Sequence, residues 1–161
     1  MIRSFTTKTL AIATFGALAL SVAPAAKADN KGCSNAILQG SFAFIGTGFI
    51  ISPPGLPPGL AGPTASVLTL TFDGVGAVTS GFGSSSENGN IGSQTEAGTY
   101  NVNSDCTGTY MVTITPGGFT AHYLFVIDET WNEIQIICTD SGVVFSATAR
   151  RQFPLGDWRN N

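Results

Sequence analysis

"GTYMVTITPGGFTAHYLFVI", residues 108–127, holds two runs of alternating side chains around a Pro-Gly-Gly break. In the first run Tyr110, Val112 and Ile114 fall on one face, and Thr109, Met111 and Thr113 on the other. Successive side chains of a strand point to opposite faces, so this period of two reads as a half-buried β-strand. Pro116 has no N–H to give a ladder, and Gly117 and Gly118 accept positive φ at small cost. The break therefore reads as a tight turn between antiparallel strands. In the second run His122 alternates with Leu124 and Val126, which reads as an inward face carrying the histidine.

The same grammar extends in both directions. Candidate strands cover residues 37–51, 64–72, 76–83, 97–103, 108–115, 120–127, 133–139 and 143–152. Turn chemistry separates them: Asp73-Gly74, Asn88-Gly89 within a Ser/Gly/Asn-rich loop, Ser104-Asp105, Asp128-Glu129-Thr130, and Asp140-Ser141-Gly142. No stretch beyond the N-terminus has the period of an amphipathic helix. Sequential strands joined by short turns predict an all-β fold, an eight-stranded antiparallel up-and-down barrel, because closure leaves no open sheet edge. A β-sandwich is the alternative. Further inward faces are Phe42 with Phe44, Leu68 with Leu70 and Phe72, and Val143, Phe145, Ala147, Ala149 and Arg151. Arg151 ends an otherwise apolar face, where an arginine is costly unless paired or stacked.

One connection differs from the others. "ISPPGLPPGLAGP", residues 51–63, carries five prolines and three glycines. Such a segment cannot continue a central strand, and reads as a long connection partly in polyproline II conformation. Its apolar Ile51, Leu56 and Leu60 suit a lid over the barrel mouth or a contact surface for a partner.

The N-terminus reads as an export signal over residues 1–28. Arg3 and Lys8 precede an apolar stretch from Leu10 to Val22, and Ala26-Lys27-Ala28 offers a small-x-small cleavage pattern. The remaining 133 residues suit one barrel domain, 29–161, and a secreted or periplasmic location. They keep Lys31, Arg150, Arg151 and Arg159 against ten acidic residues, a formal charge of −6. That balance argues against nucleic-acid binding and against anionic membrane surfaces. No later segment is long enough to span a membrane as a helix, so no stable insertion is expected once the signal is removed. The sequence does not set an oligomeric state. Three cysteines, Cys33, Cys106 and Cys138, in an oxidising compartment predict one disulfide and one leftover thiol.

Catalytic patterns are sparse. Neither a nucleophile elbow, a phosphate-binding loop nor a zinc-protease helix motif occurs. No CxxC pair exists and His122 is the only histidine, so no metal site, cofactor or catalytic residue is expected. Asp128, Glu129 and Glu133 around Trp131 read as a solvated hairpin tip rather than as paired acid and base. Inward Phe44, Leu68, Leu70, Tyr100, Tyr110, His122 and Leu124 are the candidate lining of a ligand cavity. An eight-stranded barrel is also narrow enough for such side chains to fill it as core.

Two resemblances bear on these residues. Gly40-Ser41-Phe42, with Arg151 in the last strand, resembles the closed end of calycin (lipocalin-like) barrels, where a Gly-x-aromatic motif packs against a basic side chain. That likeness implies that Gly40, Phe42 and Arg151 meet at one end, although the family's usual tryptophan is Phe42 here. Allene-oxide-cyclase-like barrels are a related possibility. "CSNAILQGSFAF" (33–44), "LTFDGVGAVT" (70–79), "GTYNVNSDCTGTYMVT" (98–113) and "FSATARRQ" (145–152) resemble a group of exported bacterial β-barrel proteins of uncharacterised activity. In their pattern the recurring cysteines correspond to Cys33 and Cys106, which implies a bridge between those two, with Cys106–Cys138 as the alternative. The functional expectation is a lipocalin-like binder of a small apolar ligand. The alternatives are a structural or interaction module of the cell surface or extracellular matrix, and an isomerase on the allene-oxide-cyclase-like barrel.

Overall fold

A computed structural model describes residues 32–51 and 59–153, which belong to one compact unit, Lys31–Asn161. The proposed signal, residues 1–28, lies outside the described residues, as do residues 52–58 of the Pro-rich connection. Eight strands follow a short 3-10 turn, η1 (Asn35–Leu38): β1 (Gly40–Ile50), β2 (Gly62–Phe72), β3 (Ala77–Glu87), β4 (Asn90–Val102), β5 (Thr107–Thr115), β6 (Phe119–Ile127), β7 (Glu133–Cys138) and β8 (Val143–Arg151). Each pairs antiparallel with the next, and β8 pairs back onto β1, closing an up-and-down barrel. The barrel, rather than the sandwich, is the fold.

Turn residues explain the connections. Asp73 Oδ1 accepts the backbone N–H groups of Val75, Gly76 and Ala77 at 2.8–2.9 Å, which stitches the β2–β3 turn. Asn88 and Gly89 both have positive φ, the requirement of a two-residue hairpin whose twist matches its strands. Asp128 Oδ1 does the same work between β6 and β7, accepting from Asn132 and Glu133 at 2.9 Å.

Beyond small shifts at strand ends, three features differ from the sequence reading. β1 starts at Gly40, and Asn35–Leu38 turns inward so that Leu38 is fully buried. The Ser/Gly/Asn-rich stretch around Asn88 is not a loop: β3 runs to Glu87 and β4 begins at Asn90. The third difference is the face of β6. His122, Leu124 and Val126 point outward, while Tyr123, Phe125 and Ile127 are buried. Cross-strand partners share a face, and Tyr123 pairs with the inward Tyr110.

One end of the barrel is plugged. Cys33 is bonded to Cys106 in the β4–β5 turn, with Cα atoms 5.0 Å apart, so η1 is held across that end. Asn35 adds two further ties: its carbonyl accepts from the Tyr100 hydroxyl at 3.1 Å, and its Oδ1 accepts the Val102 N–H at 2.7 Å. Above the plug the interior is a stack of rings. Phe72 meets Phe42 and Tyr100 edge-on, with centroids 5.4 and 5.1 Å away. Farther up, Phe44 stacks on Phe145 at 6.2 Å and Tyr110 on Tyr123 at 4.4 Å.

Candidate functional site

Inward side chains change character along the barrel axis. At the plugged end they are bulky and sealed: Phe42, Leu70, Phe72, Val78 and Ile134 are essentially inaccessible. Toward the other end, where β1 leads into the Pro-rich connection, the inward positions are mixed: several are small or polar, while Ile114 and Val143 pack against the core. Ser66 and Ser85 are partners, as are Leu68 with Gly83, and all of Gly48, Ser66, Gly83, Ser85 and Ala121 are half-buried. These small residues, with the half-buried Ile114 and Val143, ring the mouth half of the barrel, here called the bowl, above a floor of rings. The far end of the Pro-rich connection is tied to its rim, because Asn88 and Asn90 donate to the Gly59 carbonyl at 3.2 and 3.4 Å.

The bowl has a polar wall on β4. Gln94 and Glu96 face inward and are buried, and Gln94 Nε2 donates to Glu96 Oε1 at 2.8 Å. Glu96 pairs across β3 with Gly81, where a Cβ would crowd the Glu96 Cβ at 2.9 Å. Glycine at that position is what lets the carboxyl turn inward. Burial pushes the Glu96 pKa up to about 7, opposed by the hydrogen bond from Gln94. Tyr110 and Tyr123 also titrate above the ordinary range, first because they are desolvated; the next cause is Tyr123 and then Glu96 for Tyr110, and Glu96 for Tyr123. The Tyr110 hydroxyl is buried and has no hydrogen-bond partner. Buried hydroxyls are nearly always satisfied, so this one is exceptional.

The sequence-predicted residues divide into three sets. Phe44, Leu68 and Tyr110 are inward and lie in or beneath the bowl; Leu70 and Tyr100 are inward but belong to the sealed end. His122 and Leu124 are on the outer wall and line no interior space. His122 Nδ1 instead meets Asp140 Oδ1 at 2.7 Å on the surface. Gly40, Phe42 and Arg151 come together at the plugged end: the Arg151 Cζ is 4.5 Å from the Phe42 ring centroid, and a Cβ at position 40 would sit 3.1 Å from Arg151 Nη1. Cys138 is free and half-buried, more exposed than a core thiol. Sequence reasoning missed Gln94 and Glu96. Counting back in twos from the inward Val102 and Tyr100 would have found them.

A shallow groove of about 860 Å³ crosses the outer wall between β1 and β5 by way of β8, β7 and β6, with Ile45, Leu124, Val126 and Ile137 among its lining. These residues are about half exposed or more, as are Phe49 and Val144 beside them. Among the described residues no helix is long and apolar enough to cross a membrane.

No protein family and no curated protein matches the chain. Among solved structures it is similar to one described as a redesigned beta barrel, at 13% identity and a TM-score of 0.47, covering 74% of this chain and 95% of that one.

Proposed function

We propose that the chain is an exported, lipocalin-like barrel that holds a small, largely apolar ligand in its mouth half. The supporting observation is the gradient inside the barrel, from sealed rings at the plugged end to small, half-buried positions at the mouth. A barrel serving only as a scaffold gains from filling every inward position, since each unfilled methyl-sized space costs about 1 kcal/mol. The N-terminal signal pattern and the Cys33–Cys106 bridge support export.

The test is uptake of the neutral fluorescent probe N-phenyl-1-naphthylamine. Binding should raise its emission, and Ser66→Trp, which fills the bowl from its wall, should abolish the signal while the barrel stays folded. Probe binding untouched by Ser66→Trp would place it on the outer wall instead. That result would favour the second reading, an interaction module, for which the exposed Ile45, Phe49, Val144 and Ile137 are the supporting surface.

A further inference from the structure

Two lines of cross-strand partners run along the outer groove. In one, Leu124 on β6, Ile137 on β7, Ser146 on β8 and Thr47 on β1 follow as successive partners. Two large aliphatic side chains precede two small hydroxyl residues, and all four are exposed. In the other line Val126, Gln135, Thr148 and Ile45 follow in the same strand order, large at both ends. One step toward the mouth the first order inverts. There the large pair is Val144 on β8 with Phe49 on β1, beside Thr139, whose N–H bonds the His122 carbonyl. The polar groups of this wall bond one another. Arg150 donates to one Glu133 oxygen at 2.6 Å, Gln135 donates to the other, and Thr148 donates to Gln135 Oε1 at 3.2 Å. A polar group that keeps its partner is buried at little cost. The middle of the wall carries no charge, and at its edge Arg150 and Glu133 cancel. Asp73, Asp105, Asp128 and Glu129 lie away from it, in turns at the plugged end.

We propose that this wall packs against the same wall of a second copy of the chain, about a two-fold axis that runs between β7 and β8, parallel to the strands. An isologous contact repeats each pairing twice, so position 137 of one copy meets 146 of the other, and 124 meets 47. The large pair Leu124–Ile137 then lies over the small pair Ser146–Thr47, and Val144–Phe49 lies over the Thr139 side. Val126 meets Ile45 in the second line. Aligned sheets interdigitate their side chains in this way at about 10 Å. A second copy fits better than a polar partner, because the wall's hydrogen-bonding groups are already used within it. It also fits an acidic chain, which can meet its own copy only on a face without net charge. The outward residues of β6, β7, β8 and β1 number about sixteen, against 20 or so a side in a standard interface. A dimer of micromolar strength is therefore expected. The inference goes beyond the ligand-binding reading and uses no interior residue.

The experiment is sedimentation velocity on residues 29–161, which include the whole compact unit, over about 1 to 300 µM. A monomer–dimer equilibrium with a Kd of about 10–100 µM should appear. Ile137→Ser removes a large member of the contact and Ser146→Ile overfills its partner position. Each should weaken association by about tenfold or more while far-UV circular dichroism stays that of the folded barrel. The double variant restores large over small at both copies of the pairing and should recover most of the lost affinity. Phe82→Ser, on the exposed face of β3 outside this wall, should change nothing. A protein that stays monomeric at about 300 µM overturns the proposal. So does association weakened as much by Phe82→Ser as by Ile137→Ser, or a double variant no tighter than the single ones. Monomers that instead bind neutral phosphatidylcholine vesicles through Ile137 would assign the wall to a lipid surface and also overturn it. Uptake of N-phenyl-1-naphthylamine into the barrel is read separately and stands or falls without these results.

Discussion

Arg151 on β8 lies over the ring of Phe42 on β1, its cross-strand partner, with Cζ 4.5 Å from the ring centroid. The same guanidinium donates to the carbonyls of Gln39 and Ile37, both at 2.6 Å, and to that of Trp131 at 3.4 Å. One side chain thereby joins η1, the β6–β7 turn and the floor of the ring stack. Arg150 next to it points outward and pairs with Glu133 at 2.6 Å on a side chain 74% exposed. Arg151→Ala should lower stability by roughly 2–4 kcal/mol, from lost charge-assisted hydrogen bonds, stem packing and the cation–π contact. Arg150→Ala should cost about 0–1 kcal/mol, the usual worth of an exposed pair. Urea midpoints of the two variants check this, and equal shifts would contradict the role given to Arg151. Arg151→Lys should recover little, since a single ammonium cannot serve several carbonyls in a fork.

The Cys33–Cys106 bridge closes a loop with a sequence separation of 73 residues. Loop entropy at that length predicts that reduction costs roughly 4 kcal/mol. Reduction should also loosen η1 at the barrel end, leaving it to the Asn35 and Arg151 hydrogen bonds and the burial of Leu38. Hydrogen exchange on Ile37 and Val102 amides, with and without reductant, is the measurement. Protection retained after reduction would mean that Leu38 and Asn35 suffice to hold the plug.

Two tyrosines allow a matched comparison. The Tyr100 hydroxyl donates to the Asn35 carbonyl, whereas the Tyr110 hydroxyl has no partner. Tyr100→Phe should therefore destabilise by about 1 kcal/mol, and Tyr110→Phe should be neutral or stabilising by up to about 1 kcal/mol. Thermal unfolding of both variants tests the pair. A hydroxyl kept at the expense of stability is the pattern expected of a binding group rather than a structural one.

Legibility in the sequence followed the contrast between faces. β2, β5 and β8 alternate cleanly, so the inward Leu68, Leu70, Tyr110, Val112, Phe145 and Arg151 could be read directly. β6 is apolar at both parities, Tyr123-Phe125-Ile127 against Leu124-Val126, and the lone histidine pulled the reading to the wrong face. The β5–β6 register, not composition, decides that strand. The first half of β4 was hidden for the opposite reason. Its inward residues, Gln94 and Glu96, are polar, and a polar segment flanked by Ser and Gly resembles a loop. The candidate site was illegible because its residues break the pattern that identifies a strand.

Glu96 gives a prediction with a definite sign. Unfolded, its carboxyl titrates at the ordinary value of 4.5; folded, burial keeps it protonated to about 7. Between those values the native state holds a proton that the unfolded chain has released, so this group's contribution to stability declines as pH rises from 4.5 to 7. Below that window both states are protonated and there is no difference. Above it both are ionised, and the full cost of a buried charge remains, roughly 3 kcal/mol at 1.36 kcal/mol per pKa unit. Glu96→Gln keeps the size and the capacity to bond Gln94 but removes the titration. The variant should be the more stable protein at pH 8, and the two should converge toward pH 5. Asp73, Asp105 and Asp128, whose pKa values are lowered by their turn hydrogen bonds, lose stability only in the acid range and do so equally in both proteins. Urea unfolding of both across pH 5–8 isolates Glu96. A gap that does not change with pH would show that the carboxyl is ionised throughout, and that water or a cation already reaches it.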